Sequence, residues 1–127
     1  MSESITQGIR IRVKAVFIPE RSAPENSYYF FAYTVNISNE GTETAQLVSR
    51  HWIIYGPDGP IGEVRGAGVV GEQPLLEPGQ SFEYTSFCPL QTPLGSMHGT
   101  YQMVRPNGEA FDAVITPFSL AVPTQVN

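Results

Sequence analysis

One cysteine, Cys88, occurs in 127 residues, so no disulfide can form within the chain. The two histidines, His51 and His98, lie far apart in sequence and offer no local metal-ligand spacing. Asp58 and Asp112 are the only aspartates, and no run of acids resembles a calcium loop or a pair of magnesium carboxylates. The reading therefore expects no cofactor, since ligand spacing supports neither Mg2+ nor Co2+. Lysine is scarcer still. Lys14 stands alone among seven basic residues, against twelve acidic ones, for a net charge of −5. Non-specific nucleic-acid binders carry a basic excess or a concentrated basic face, so DNA is not an expected partner. The longest near-apolar run, YYFFAYTV at 28–35, is far short of the ~20 residues that span a bilayer. The N-terminal MSESITQGIRIRVK has no apolar h-region and does not read as a signal peptide. The expectation is a soluble, cytoplasmic protein that is not itself a channel or pump.

What the chain does contain is alternation. Apolar residues make up 41% of it and are spread along its length, which argues for one domain with a real core. In IRIRVK (9–14), Ile9, Ile11 and Val13 alternate with Arg10, Arg12 and Lys14, so a strand here places three cations on one face. That face reads either as a solvated outer surface whose charges discourage edge pairing, or as a phosphate or RNA contact. Residues 28–38 set Tyr29, Phe31, Tyr33, Val35 and Ile37 on one face, with Tyr28 and Phe30 opposite. NEG (39–41) reads as a hairpin-type turn. Further strands are expected at 44–55, 61–66, 81–88, 97–104 and 109–122. GPDGP (56–60), PLLEPGQ (74–80), PLQTPLG (89–95) and PNG (106–108) separate them. No window sustains helical apolar spacing. The pattern predicts an all-β sandwich of about seven or more antiparallel strands, each sheet with a dry and a wet face. The ends, 1–6 and 123–127, are expected to fray, leaving an ordered core of about 8–122.

GAGVVG (66–71) has the spacing of a dinucleotide fingerprint, with Arg65 before it. The fingerprint needs a helix directly after the glycines to supply free N–H groups and a positive dipole end. Here EQPLLEPGQ follows, and Pro74 and Pro78 leave no room for that helix. Two readings stay open. The amides of Gly66, Gly68 and Gly71 could form an anion-binding nest, with Arg65 adding a bidentate phosphate contact. Alternatively, the glycines relieve crowding or allow positive φ in a bulge or crossing. Glu63 and Glu72 flank the segment and oppose an anion there unless Mg2+ intervenes.

His51, within SRHWII, reads as a half-buried, hydrogen-bonded strand residue or, less simply, as a ligand. Cys88 falls in phase with Phe82 and Tyr84 and reads as a small core residue. No G-x-S-x-G elbow or nucleophile–base motif occurs, so no catalytic residue is assigned and the chain is not expected to be an enzyme. The aromatic run contributes candidate partner-binding residues in Tyr28, Tyr29 and Phe30.

SRHWII (49–54), VRGAGVVGEQPLLEPGQSFEYTS (64–86) and CPLQTPLGSMHGTYQMV (88–104) closely resemble the bacterial ApaG family. The resemblance runs from about Gly8 to Leu120. It implies a fibronectin type III or immunoglobulin-like β-sandwich and a single ApaG domain over 1–127. The family name is linked to cobalt resistance and magnesium efflux, which a chain with no spanning segment would serve only indirectly. The gene commonly lies near those of a diadenosine tetraphosphate hydrolase and an rRNA dimethyladenosine methyltransferase. That neighbourhood implies a nucleotide or pyrophosphate ligand. Similar domains in eukaryotic F-box proteins and in a DNA polymerase delta-interacting protein imply a protein partner. Gly66, Gly68 and Gly71 match the family's glycine motif. Phe87 departs from it, standing where glycine is common and adding an apolar group beside Cys88.

Overall fold

A computed structural model describes residues 1–123. It is an all-β sandwich of two antiparallel sheets. The strands are β1 (Ser2–Thr6), β2 (Ile9–Phe17), β3 (Tyr29–Asn39), β4 (Ala45–Gly56), β5 (Gly59–Ala67), β6 (Leu75–Leu76), β7 (Ser81–Leu90), β8 (Leu94–Val104) and β9 (Ala110–Ala121). The first sheet runs β1-β2-β3-β7 and the second β5-β4-β8-β9. The short β6 pairs with Ala45 and Gln46 of β4.

The alternation in sequence becomes the two faces of each sheet. Ile9, Ile11 and Val13 of β2 and Phe31, Tyr33, Val35 and Ile37 of β3 turn inward. They meet Leu47 and Trp52 of β4, Met97, Tyr101 and Met103 of β8, and Phe111, Ala113 and Ile115 of β9. Trp52 sits at the middle of this core, edge-on to Tyr33, Tyr101 and Phe118 at centroid distances of 5.5, 6.2 and 5.9 Å. Arg10, Arg12 and Lys14 take the outer face of β2, where Arg10 bonds Glu3 and Glu40. Pro60, Pro89 and Pro117 lie in β5, β7 and β9. All three are edge strands, where a missing N–H leaves no ladder bond unmade.

Three expectations need correcting. NEG (39–41) is not a hairpin turn. β3 pairs with β2 and β7, and the chain crosses at 40–44 to β4 in the opposite sheet. The turn chemistry is local all the same: Gly41 N–H donates to Asn39 Oδ1 at 3.0 Å. Asn39 Nδ2 donates to the carbonyls of Glu43 and Leu76 at 2.8 and 2.9 Å, fixing the crossover. Residues 2–6, expected to fray, form β1. It is held by β2 on one side and by β9 on the other, where Val114 N–H donates to Thr6 Oγ1 at 3.1 Å and Ser4 Oγ donates to Val114 O. The proline-bounded loop at 89–95 shrinks to 91–93, with β7 running on through Leu90 and β8 beginning at Leu94. Of the C-terminal stretch expected to fray, 124–127 lie outside the described residues.

The contact of β1 with β9 closes one side of the sandwich. On the other side the edges are β5 and β7, which do not pair. A cleft of about 370 Å³ lies there between the sheets, reaching in to Trp52.

Candidate functional site

The glycine segment is a tight β-turn. Val69 N–H donates to Glu72 O at 2.8 Å and Glu72 N–H donates back to Val69 O at 2.9 Å. Val70 and Gly71 between them have φ of +43° and +81°, the two-residue type I′ pattern. Gly68 N–H donates to Val48 O at 2.8 Å. The amides of Gly68 and Val69 are thus spent on the fold, and they do not converge on a ligand. Gly66 and Gly68 have a steric reason, and Gly71 a conformational one in its φ of +81°. A Cβ on Gly68, where φ is +61°, would sit 2.2 Å from Glu72 O. A Cβ on Gly66 would sit 2.9 Å from both Nη atoms of Arg50. The turn tips Val69 into the core, where it is fully buried. Arg65 points away from the segment into solvent and bonds Glu63 at 3.1 Å. Arg65 and Gly66 line one surface pocket with Arg50, His51 and Asp112, a lining that includes neither Gly68 nor Gly71.

His51 lies across β4–β5 from Arg65. Its Nε2 is 2.5 Å from Glu63 Oε2, so it is hydrogen-bonded and half-buried. The Glu63 carboxyl is held below the ordinary range, first by that bond and then by the Arg65 charge. His98 stacks on Tyr55 instead, at 5.4 Å. Among the described residues, no three His, Cys, Asp or Glu side chains converge as a metal site.

Cys88 is buried and in core phase. Burial pushes its thiol up to about 11 from an ordinary 9.0. Only thiolate reacts, and two pH units reduce its fraction about a hundredfold. Iodoacetamide at pH 8 is therefore expected to label folded Cys88 about a hundredfold more slowly than the urea-unfolded chain; comparable rates would mean the thiol is accessible and unshifted. A folded thiol that keeps its proton longer than the unfolded one adds stability below pH 9.0, and that contribution is lost as pH climbs toward 11.

The aromatic candidates divide. Tyr29 turns inward and packs against the core. Phe30 faces outward but is covered, stacked on Phe87 at 5.4 Å, with Tyr28 at 6.3 Å and the Arg21 guanidinium 4.2 Å above its ring. Tyr28 alone of the three is exposed. The surface there is wider than the sequence reading had it. Val16, Ala32 and Phe87 form one cross-strand row on the outer face of the first sheet. Val16 and Phe87 are 56% and 52% exposed. Phe87 supplies the added apolar contact anticipated for it, and it supplies it to this surface.

Sequence reasoning missed Arg50. It is in phase with Trp52 and Ile54 on the inward face of β4. Its Nη1 donates to the carbonyls of Ala67 and Gly68 at 3.1 and 2.9 Å, and among the described residues no carboxylate pairs with it. Three phenols share its field. Burial holds the Tyr33, Tyr84 and Tyr101 hydroxyls above the ordinary phenol range, and the Arg50 charge opposes the shift in each. Tyr84 and Tyr101 bond each other across the sheets at 2.5 Å. An arginine two residues before a core tryptophan, in the same strand phase, was the signal available.

Residues 19–105 match the ApaG domain. The chain belongs to the ApaG family. It is 57% identical over all 127 residues to an ApaG protein of Anaeromyxobacter dehalogenans, covering both chains completely. To the ApaG protein of Methylobacterium nodulans it is 56% identical over 123 residues, covering 97% of this chain and 95% of that one. The crystal structure of the ApaA protein from Bordetella pertussis superposes with a TM-score of 0.89 at 51% identity, over 92% of this chain and 95% of that one.

Proposed function

We propose that this fibronectin-like ApaG sandwich is a cytoplasmic, non-catalytic interaction module. In this reading it docks an acidic, apolar segment of a protein partner on the outer face of its first sheet. The observation that carries this is the exposed row Val16–Phe87, extended through Phe30 to Tyr28, beside two cations. Among the described residues neither Lys14 nor Arg21 has a carboxylate partner. Exposed apolar groups joined to aromatic rings mark interaction surfaces, aromatic and arginine anchors dominate binding energy, and unpaired cations favour an acidic partner. The non-catalytic reading is supported by the buried, proton-retaining Cys88 and by the engagement of His51 with Glu63. Among the described residues no three His, Cys, Asp or Glu side chains converge as a metal site, so in this reading a link to Co2+ or Mg2+ homeostasis runs through the partner.

Peptide display on the folded protein is expected to enrich acidic sequences bearing aromatic or branched aliphatic residues. A Phe87→Ser/Arg21→Glu variant is expected to bind them about thirtyfold more weakly, the effect of losing one strong anchor. Equal enrichment on parent and variant would remove this surface from consideration. A pyrophosphate or dinucleoside polyphosphate at 65–71 draws less support, because Arg65 pairs with Glu63 and the amides of Gly68 and Val69 are engaged. Loss of such binding in Arg65→Ala would restore it.

A further inference from the structure

The open side of the sandwich holds an unusual combination. The cleft between β5 and β7 has apolar walls from Ile54, Val64 and Met97. Its polar groups are Arg50, Tyr33 and Ser86. No acid lines it. Arg50 spends Nη1 on two carbonyls, and the remaining N–H groups of its guanidinium have no partner among the described residues. Trp52, on the same lining, is 2% exposed, and its Nε1–H is buried without an acceptor among the described residues. Buried polar groups are nearly always paired, and an exception needs a reason. Trp52 Nε1–H is such an exception, and on the same lining stands a cation with N–H groups to spare.

The chain also makes room for this arrangement. Gly66 lies directly across β4–β5 from Arg50, and the absent side chain is what lets the guanidinium rest against β5. The first glycine of GAGVVG thus serves the arginine rather than a phosphate. The volume, about 370 Å³, falls at the small end of the ~300–1,000 Å³ of small-molecule sites, which are mostly apolar with a few placed polar groups. A planar guanidinium matches a carboxylate in shape and charge.

We propose that the β5–β7 cleft binds a small carboxylate with an apolar body, its carboxylate on Arg50 and its hydrocarbon against Ile54, Val64 and Met97. Phe87 borders both this cleft and the outer-face surface proposed above, but Arg50, Ile54, Val64 and Met97 belong to the cleft alone, so neither reading depends on the other.

Trp52 is the only tryptophan of the chain, so its fluorescence reports the cleft directly. Octanoate is the probe, with octanol as the uncharged control and inorganic phosphate as the anion without an apolar body. Octanoate is expected to change Trp52 emission saturably, and octanol and phosphate to bind at least tenfold more weakly. Arg50→Gln is expected to weaken octanoate at least tenfold. Because Arg50 also caps Ala67 and Gly68, Gly66→Ala is the second variant. Its methyl meets only the far end of a flexible side chain, so the fold persists while the guanidinium is pushed from its place. It too should weaken octanoate severalfold, with a cooperative melt that shows the fold retained. Val16→Ser, on the outer face and off the cleft lining, should leave octanoate binding intact. No saturable change at 10 mM octanoate, equal binding of octanol, displacement by equimolar phosphate, or full affinity in Gly66→Ala would each overturn the proposal.

Discussion

Gly99→Ala is expected to cost about 3–5 kcal/mol, a large part of the ~5–15 kcal/mol that holds a domain together. Gly99 lies in the middle of β8, opposite Trp52 of β4 and Ile115 of β9. An added Cβ would sit 2.0 Å from His51 O, 3.0 Å from His51 C and 3.2 Å from Trp52 Cα. All three are backbone atoms of the neighbouring strand, so no rotamer change relieves the contact. Relief requires β4 to move off β8 at the point where Trp52 meets Tyr33, Tyr101 and Phe118. Overpacking a dense core already costs about 1–3 kcal/mol, and displacement of the central aromatic adds to that. Gly71→Ala is the useful contrast. Nothing lies within 4 Å of its Cβ, and only its φ of +81° is strained, a cost of about 1 kcal/mol. Urea melts of the two variants and the parent separate these cases. A Gly99→Ala loss below that of Gly71→Ala would show that the β4–β8 pair yields easily.

The alternation of β2 and β3 was legible because their two faces meet different surroundings. Ile9, Ile11 and Val13 meet core while Arg10, Arg12 and Lys14 meet water, and period two follows directly. Turns with an obligatory positive φ were legible for the same local reason, as at Gly108 in PNG. The destination of a turn was not. Asn39 and Gly41 make the same local bond in a crossover as in a hairpin, and the bonds from Asn39 to Glu43 and Leu76 are tertiary. β1 was illegible because SESIT has one apolar residue. It is a strand only because β2 and β9 both offer it partners. The glycine segment was legible as punctuation and misleading as a motif, since Arg65 and Gly66 face opposite sides of β5. A period-two reading carried through that segment separates them. The same reading places Arg50 with Trp52, so the inward cation could have been found by asking which charged residue breaks core phase.

Arg105→Met is expected to cost about 2–4 kcal/mol, the range for removing a buried charged donor and leaving its acceptors unpaired. Arg105 is 5% exposed, and among the described residues no carboxylate pairs with it. Its charge is met by carbonyls. Nη2 donates to Gln7 O at 2.8 Å and Nη1 to Glu43 O at 2.9 Å, with Thr44 O at 3.5 Å. The guanidinium also lies 4.6 Å from the centroid of Phe111, a contact worth about 0.5–2 kcal/mol according to its desolvation. One side chain at the start of the β8–β9 turn therefore ties the β1–β2 turn to the β3–β4 crossover. Methionine matches the apolar stem and supplies no donor, so Gln7 O loses its side-chain partner. Glu43 O keeps the bond from Asn39, and the two residues should therefore couple. Asn39→Ala and Arg105→Met together are expected to cost about 0.5–3 kcal/mol more than the sum, since the pair then abandons Glu43 O. Lysine reaches one carbonyl at a time and lacks the fork, so Arg105→Lys should fall between methionine and the parent. Denaturant melts of the four variants test the order. Arg105→Met within about 0.5 kcal/mol of the parent, the scatter of ordinary surface changes, would mean that water replaces the guanidinium freely and that the turns are not tied through it.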